Sequence, residues 1–306
     1  MKFDFSHEIP NQLLAKINDI SITIKREDLI DEYYSGNKFR KLKYNIKNIR
    51  DKGFSRLVTF GGAYSNHLYA TAIFGKKINI KTTGFVRGNE LVSLEKNSTL
   101  HFCNSKGMKL VYLNRSSYKL KEFSEEVKMY LIRNPNSYLI PEGGTNSLAI
   151  QGCKEILTKK DSEYNTICCA VGTGGTISGI IESSNLNQHI IGFPALRNEA
   201  LYDVISKMTT RCNWTLEKRY SFGGYGKFTS ELIDFINKIS INYKILLDPI
   251  YTGKMLFGIF DLIKKNKWKW GKNILVIHTG GQQGINGVNQ KLLLKKKPQI
   301  IIPKIF

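Results

Sequence analysis

Ile167-Cys168-Cys169-Ala170-Val171-Gly172-Thr173-Gly174-Gly175-Thr176 reads as an apolar strand running into a glycine-rich turn, after which Ile177 opens a helical stretch. Glycines let a backbone turn sharply and approach a ligand closely. The exposed N–H groups and the positive end of the following helix favour an anion such as a phosphate. Thr173 and Thr176 add hydroxyl donors. Ile177 stands where a dinucleotide fingerprint needs its third glycine, and no Gly-Lys-Ser/Thr follows at Walker A spacing. The loop alone leaves two readings open, a cradle for another kind of phosphate ligand or a structural turn with incidental glycines.

Outward from this unit, apolar runs alternate with helix-like stretches along nearly the whole chain. Strand candidates are Leu57 to Phe60, Ile78 to Val86, Lys109 to Leu113, Tyr138 to Ile140, Ile167 to Val171, Ile190 to Pro194, Ile245 to Leu247 and Ile274 to His278. The alternation predicts an α/β protein with mainly parallel sheets flanked by helices. Ligands in such folds bind beyond the carboxyl ends of strands, so the chemistry is sought in the loops there.

Composition narrows the function classes. The 306 residues, 42% of them hydrophobic, suffice for a substantial core. No run resembles a secretory signal or reaches membrane-spanning length, which gives the expectation of a soluble, cytoplasmic protein. Five cysteines without a CxxC pair speak against structural disulfides and a cysteine-rich zinc site, and Cys168 and Cys169 read as small core residues. Five dispersed histidines without HExxH, and the lack of a G-x-S-x-G elbow, argue against a metal site and an acyl-serine hydrolase. Lysine and arginine number 46 against 25 acidic residues, a formal net charge of +21. Nucleic-acid binding without catalysis is therefore the rival from a different class. The basic residues are spread along the chain, however, and the densest run, Lys295 to Lys297, reads as solvated surface. A positive field also concentrates small anions.

Several loops offer reactive groups. Gly36-Asn37-Lys38-Phe39-Arg40-Lys41 places Lys38 in the first turn of a helix-like stretch. There the helix end and its cationic neighbours lower its pKa and free the amine as a nucleophile. Taken by itself, Lys38 is more simply a solvated lysine of a basic protein. Gly61-Gly62-Ala63-Tyr64-Ser65-Asn66-His67 follows a strand and precedes a helix; Ser65 and Asn66 offer donors to a carboxylate or phenolate, Ser65 doubles as an N-cap, and His67 reads first as a packed polar residue.

Taken in order, Lys25-Arg26-Glu27-Asp28, SGNKFRKLKY (35–44), TFGGAYSNH (59–67), PEGGTN (141–146), VGTGGT (171–176), FGGYGKF (222–228), DPIYTGK (248–254) and HTGG (278–281) closely resemble the 1-aminocyclopropane-1-carboxylate deaminase and D-cysteine desulfhydrase family. These are fold type II pyridoxal-phosphate enzymes, similar to the tryptophan synthase β subunit. The resemblance spans nearly the whole chain.

It implies that Lys38 holds pyridoxal 5′-phosphate as a Schiff base and shuttles the substrate α-proton, and that Asn66 bonds the cofactor's phenolic oxygen. Ser65 would contact the substrate carboxylate, with Asn66 and His67 beside it. Gly172, Thr173, Gly174, Gly175 and Thr176 would bind the phosphate, and Tyr225 and Tyr251 would stand near the reacting carbons. It further implies a homodimer, and two open, twisted sheets in two domains: residues 1–47 and 150–306 for the cofactor, with 48–149 inserted as a smaller unit. Deaminases of the family resemble one another in having Glu after the second tyrosine and Leu between His and Gly-Gly. Thr252 and Thr279 occupy those places here, which is similar to the desulfhydrase pattern. Thr279 would then be a neutral partner for the pyridine nitrogen, giving a weaker electron sink that favours elimination. The expected reaction is therefore β-elimination on a small amino acid, D-cysteine first, with 1-aminocyclopropane-1-carboxylate deamination as the alternative.

Overall fold

The computed structural model describes residues 8–31, 36–92 and 97–303; Ser35 of the SGNKFRKLKY motif lies outside them. Its strands are β1 (Asn11–Ile17), β2 (Ile20–Lys25), β3 (Arg56–Gly61), β4 (Lys81–Arg87), β5 (Lys109–Leu113), β6 (Ser137–Leu139), β7 (Thr166–Val171), β8 (His189–Pro194), β9 (Trp214–Leu216) and β10 (Asn273–Ile277). They form a six-stranded sheet in the order β1-β2-β10-β7-β8-β9 and a four-stranded sheet in the order β5-β4-β3-β6. Every pairing is parallel except β1 with β2. The α/β architecture with two mainly parallel sheets is the one read from the sequence.

Strand β7 lies inside the larger sheet, and its side chains serve both faces. Cys168 and Ala170 pack with Met255, Leu256 and Ile259 of the Thr252–Lys264 helix. Ile167, Cys169 and Val171 pack with Ile177, Ile180 and Ile181 of the Gly175–Ser183 helix. Burying each isoleucine or valine contributes about 1.5–3 kcal/mol, so a shift of one residue in β7 would exchange two complete core layers. That constraint holds Gly172 at the strand's end.

The Asn37–Asp51 helix joins the sheets. Phe39, Leu42, Ile46 and Ile49, at helical spacing, pack with Leu57, Phe74 and Ile140 around the smaller sheet. Its first residue is tied instead to the larger sheet: the Asn37 amide donates to the Thr279 carbonyl beyond β10 at 3.3 Å. Gly36 makes this possible. Its φ is +67°, and any side chain there would overlap the Thr279 carbonyl. Two turns of buried charge reinforce the junction, because Arg40 donates to both oxygens of the fully buried Glu27 at 2.9 Å. The Lys25-Arg26-Glu27-Asp28 motif is thus a bracing element, with Lys25 paired to Asp161 at 2.8 Å and Arg26 to Asp28 at 2.8 Å.

Two strand candidates require correction. Ile245 to Leu247 is not a strand, although Ile245 and Leu247 are buried. The Leu246 carbonyl accepts from the side chains of His278 at 3.0 Å and Gln282 at 3.1 Å, where a sheet neighbour's amide would otherwise bond. Ile78 closes the preceding helix. Asn79 then turns left-handed at φ 56°, and β4 begins at Lys81. Strands β1, β2 and β9 were absent from the candidates.

Gly36→Ala should destabilise the fold by about 1–3 kcal/mol from the left-handed backbone alone, with the Thr279 overlap adding to that. A urea midpoint matching that of the parent protein would refute the proposed fit.

Candidate active site

Six chain segments converge on a cavity of about 700 Å³. It is lined by Lys38, Ser65, Asn66, His67, Gly172, Thr173, Gly174, Thr176, Tyr225, Tyr251 and Thr279. Of the residues singled out from the sequence, the structure therefore brings together all but Gly175 and Thr252. Gly175 faces the side chain of Thr145. Thr252 is buried, and its hydroxyl donates to Asp248 at 2.7 Å while accepting the Asp248 amide at 3.1 Å. With both functions committed, it offers nothing to the cavity.

The glycine loop keeps its N–H groups available for a ligand. Gly174, at φ +89°, is the N-cap of the Gly175–Ser183 helix, and no side chain caps it. Uncapped first-turn amides at a cavity wall suit an anion. Thr176 connects this loop to the lysine: Asn37 Nδ2 donates to Thr176 Oγ1 at 2.9 Å, and Lys38 Nζ donates to Asn37 Oδ1 at 3.3 Å. Lys38 is half-buried, and loss of hydration, followed by the charge of Lys41, pulls its pKa down to about 7. Burial is thus the leading cause. Arg40, a neighbour in sequence, turns away to Glu27.

Ser65 caps the Asn66–Ile78 helix by accepting the Leu68 amide at 3.2 Å, which leaves its hydroxyl proton free to donate. Asn66 Oδ1 accepts from Gln283. His67 is buried with Nε2 2.8 Å from Thr59 Oγ1, while its Nδ1 has no hydrogen-bond partner among the described residues. Since Thr59 also donates to the Ile140 carbonyl at 2.8 Å, it accepts from Nε2–H, and Nδ1 carries a lone pair. Burial, with Lys38 and Lys41 nearby, holds this imidazole neutral by pushing its pKa well down. Tyr225 and Tyr251 meet edge to face with ring centres 6.1 Å apart. Loss of hydration raises the pKa of each, so both remain protonated phenols at neutral pH.

Two buried lysines support the site, although sequence reasoning gave them no role. Lys41 Nζ donates to the Gly143 carbonyl and Thr145 Oγ1, both at 2.9 Å, and to Thr173 Oγ1 at 3.4 Å, binding the 141–146 loop to the glycine loop. Its position three residues after Lys38 on one helix was the available signal. Lys254 Nζ donates to the carbonyls of Ser221 and Gly224 at 2.9 Å and Ala195 at 3.3 Å, which fixes the turn preceding Tyr225. Burial lowers its pKa to about 8.

This geometry agrees with what the chain resembles. A family model described as "Pyridoxal-phosphate dependent enzyme" matches residues 7–280. The chain belongs to the pyridoxal-phosphate-dependent enzyme family. Among curated relatives, "Putative 1-aminocyclopropane-1-carboxylate deaminase" of Pyrococcus horikoshii is 33% identical, covering 94% of this chain and 93% of the relative. "Bifunctional D-cysteine desulfhydrase/1-aminocyclopropane-1-carboxylate deaminase, mitochondrial" of Arabidopsis thaliana is 28% identical, covering 88% and 74%. A crystal structure of "the ACC deaminase homologue" superposes with a TM-score of 0.81 at 30% identity over 95% of this chain and 94% of that one. A hydrogen sulfide-producing enzyme from Fusobacterium nucleatum shares the fold at 15% identity, with a TM-score of 0.67 over 92% and 95% of the two chains.

The cofactor is pyridoxal 5′-phosphate, and the residues present fit it. An uncapped helix N-terminus suits its phosphate, an amine of lowered pKa suits its aldehyde, and the cavity between them is lined by Asn66 and Thr279.

Two outcomes follow from the electrostatics. Cofactor-free enzyme should recapture pyridoxal phosphate at a rate that climbs with pH to half its maximum near 7, because only the free amine attacks. Lys41→Met should move that midpoint upward by removing a charge that disfavours the Lys38 cation; absorbance of the recombined enzyme measures both. Separately, Lys254→Met leaves three carbonyls without their donor and should cost about 1–3 kcal/mol in urea unfolding.

Proposed function

We propose that this enzyme catalyses β-elimination on a small amino acid, with D-cysteine as the preferred substrate and pyruvate, ammonia and hydrogen sulfide as products. The observation that carries the reading is the pairing of a lysine of lowered pKa with two tyrosines held protonated across the same cavity. Elimination needs that combination, a base at the α-carbon and an acid where the leaving group departs.

In this reading Lys38 holds the cofactor and then takes the α-proton. The glycine loop and Thr176 bind the phosphate, and Asn66 faces the phenolic oxygen. Ser65, with its free hydroxyl proton and the helix N-terminus behind it, orients the substrate carboxylate. Tyr251 and Tyr225 protonate the departing sulfur. When bound, the cofactor supplies the electron sink for the α-carbon. Thr279, at the cavity wall, supports elimination as a neutral partner for the ring nitrogen. Thr252 no longer contributes to the choice of substrate, since its hydroxyl is spent on Asp248. We also assign residues 48–149 to a smaller unit inserted between 1–47 and 150–306, supported by the separate sheet that β3 to β6 form.

Purified enzyme given D-cysteine, L-cysteine, serine or 1-aminocyclopropane-1-carboxylate should release pyruvate fastest from D-cysteine. Turnover of the cyclopropane substrate to α-ketobutyrate without activity on D-cysteine would reverse the order. Lys38→Ala should lose the visible absorption of the attached cofactor and at least about 100-fold in kcat; a band that persists and remains reducible by borohydride would place the attachment elsewhere.

A further inference from the structure

A second cavity, of about 820 Å³, adjoins the first and shares Gly62, Asn66, Arg87, Tyr225 and Tyr251 with it. Its charge is one-sided. Arg87, Arg115, Lys227, Lys291, Lys295 and Lys297 line it, against Glu90 and Asp248. Neither acid forms an ion pair with Arg87, although, behind the hydrogen bond from Arg115, the Arg87 charge helps to lower the pKa of Glu90. Glu90 bonds Arg115 at 2.8 Å, and Asp248 is saturated by the amides of Ile250, Tyr251 and Thr252 at 2.8, 2.7 and 3.0 Å and by the Thr252 hydroxyl.

Arg87 stands at the boundary between the cavities. It is the last residue of β4, and the five residues before it are buried, so its backbone is fixed. Its side chain is exposed, and Nη2 lies 3.6 Å from where a methyl group on Gly62 would sit. Its charge is felt by Tyr225 and Tyr118. Among the described residues it has no ion-pair partner. Glu142 also lines the first cavity but pairs with Lys121 at 3.1 Å. A guanidinium on a rigid strand end, beside the tyrosines and with no carboxylate in ion-pair contact among the described residues, is placed to bind an anion that arrives with the substrate.

We propose that Arg87 reads a negative charge on the substrate's β-substituent, so that the substrate class is amino acids carrying an anionic group on the β-carbon, such as a phosphate ester or a sulfonated thiol. This rests on the elimination reading above, in which the tyrosines face the leaving group, and it keeps D-cysteine first only among substrates whose β-substituent is uncharged. The reaction balances without any oxidant. Lys38 takes the α-proton, the bond from Cβ to oxygen or sulfur breaks with its electron pair on the leaving group, and the released enamine becomes an imine and adds water. O-phosphoserine thereby gives pyruvate, ammonia and phosphate; S-sulfocysteine gives pyruvate, ammonia and thiosulfate.

The test uses the holoenzyme with both enantiomers of O-phosphoserine and S-sulfocysteine, alongside serine and cysteine. For the parent enzyme, kcat/KM for the charged substrates should exceed that for their neutral counterparts by at least about 10-fold, the scale of one charge-assisted hydrogen bond. Arg87→Gln should collapse that ratio, mainly through KM, and Arg87→Lys should restore part of it; retention of the visible cofactor band in each variant reports an intact site. If Arg87→Gln lowers charged and neutral substrates equally, the arginine holds the α-carboxylate and the proposal fails. Turnover of neutral substrates with none of the charged ones also defeats it while leaving elimination intact. If no substrate yields a keto acid, the elimination reading falls with it.

Discussion

The Asn37 amide reaches the Thr279 carbonyl only because Gly36 carries no side chain, and the active site depends on that approach. The Asn37–Asp51 helix packs along its length with the smaller sheet's core, while this hydrogen bond, the Asn37–Thr176 and Lys41–Thr173 bonds and the Glu27–Arg40 pair fasten its start to the larger sheet. Lys38 lies at the point where the attachments meet. A lysine on either sheet alone would face only half of the cavity. Placed here, it faces the glycine loop through Asn37 and Thr176 on one side and the Ser65–Asn66 turn on the other.

The burial of cations is the second organising fact. Lys41 and Lys254 are both buried and satisfied by carbonyls and hydroxyls rather than by carboxylates. A neutral acceptor meets the ammonium's hydrogen-bonding demand without cancelling its charge. The charge of Lys41 therefore remains effective at Lys38, where it adds to desolvation in favouring the free amine. Had Lys41 been paired with a carboxylate, its influence on Lys38 would have been largely neutralised. It would also have lost its value beside the glycine loop, whose Thr173 it contacts and whose uncapped helix end suits an anion.

The parts of this arrangement legible in the sequence are those with short-range signals. β7 and its glycine loop could be read because an apolar run, a turn and a helix start follow one another without a gap. Ile20, Ile22 and Ile24 of β2 alternate in the same legible way, yet β2 was not among the candidates. β1 was harder: its register slips between Leu13 and Ala15, which breaks the alternation. β9, three residues long, falls below any pattern. Ile245 to Leu247 carries a strand's composition, but its Leu246 carbonyl is taken by His278 and Gln282, distant residues that no local window contains. Thr252 fails for a local reason. Spacing put a hydroxyl beside Tyr251, but only the fold shows that Asp248 claims it. Lys41 and Lys254 were visible as letters within motifs, but lysine is so common in a chain of +21 charge that neither stood out.

The two sheets divide the work. The glycine loop and Thr279 extend from β7 and β10 of the larger sheet, whose core layers leave β7 no freedom to shift. Ser65 and Asn66 follow β3, and Arg87 ends β4, both in the smaller sheet. In the proposed reading the first group together with Asn66 holds the cofactor, while Ser65 and Arg87 meet the substrate, so a substitution at the end of β4 would alter the chemistry next to the tyrosines without touching the elements that set the Lys38 amine. On that reading the same fold would keep one lysine and one glycine loop while the smaller sheet changes which amino acid is admitted. The Arg87 side chain, fixed at its backbone and free at its guanidinium, is where such a change would act first.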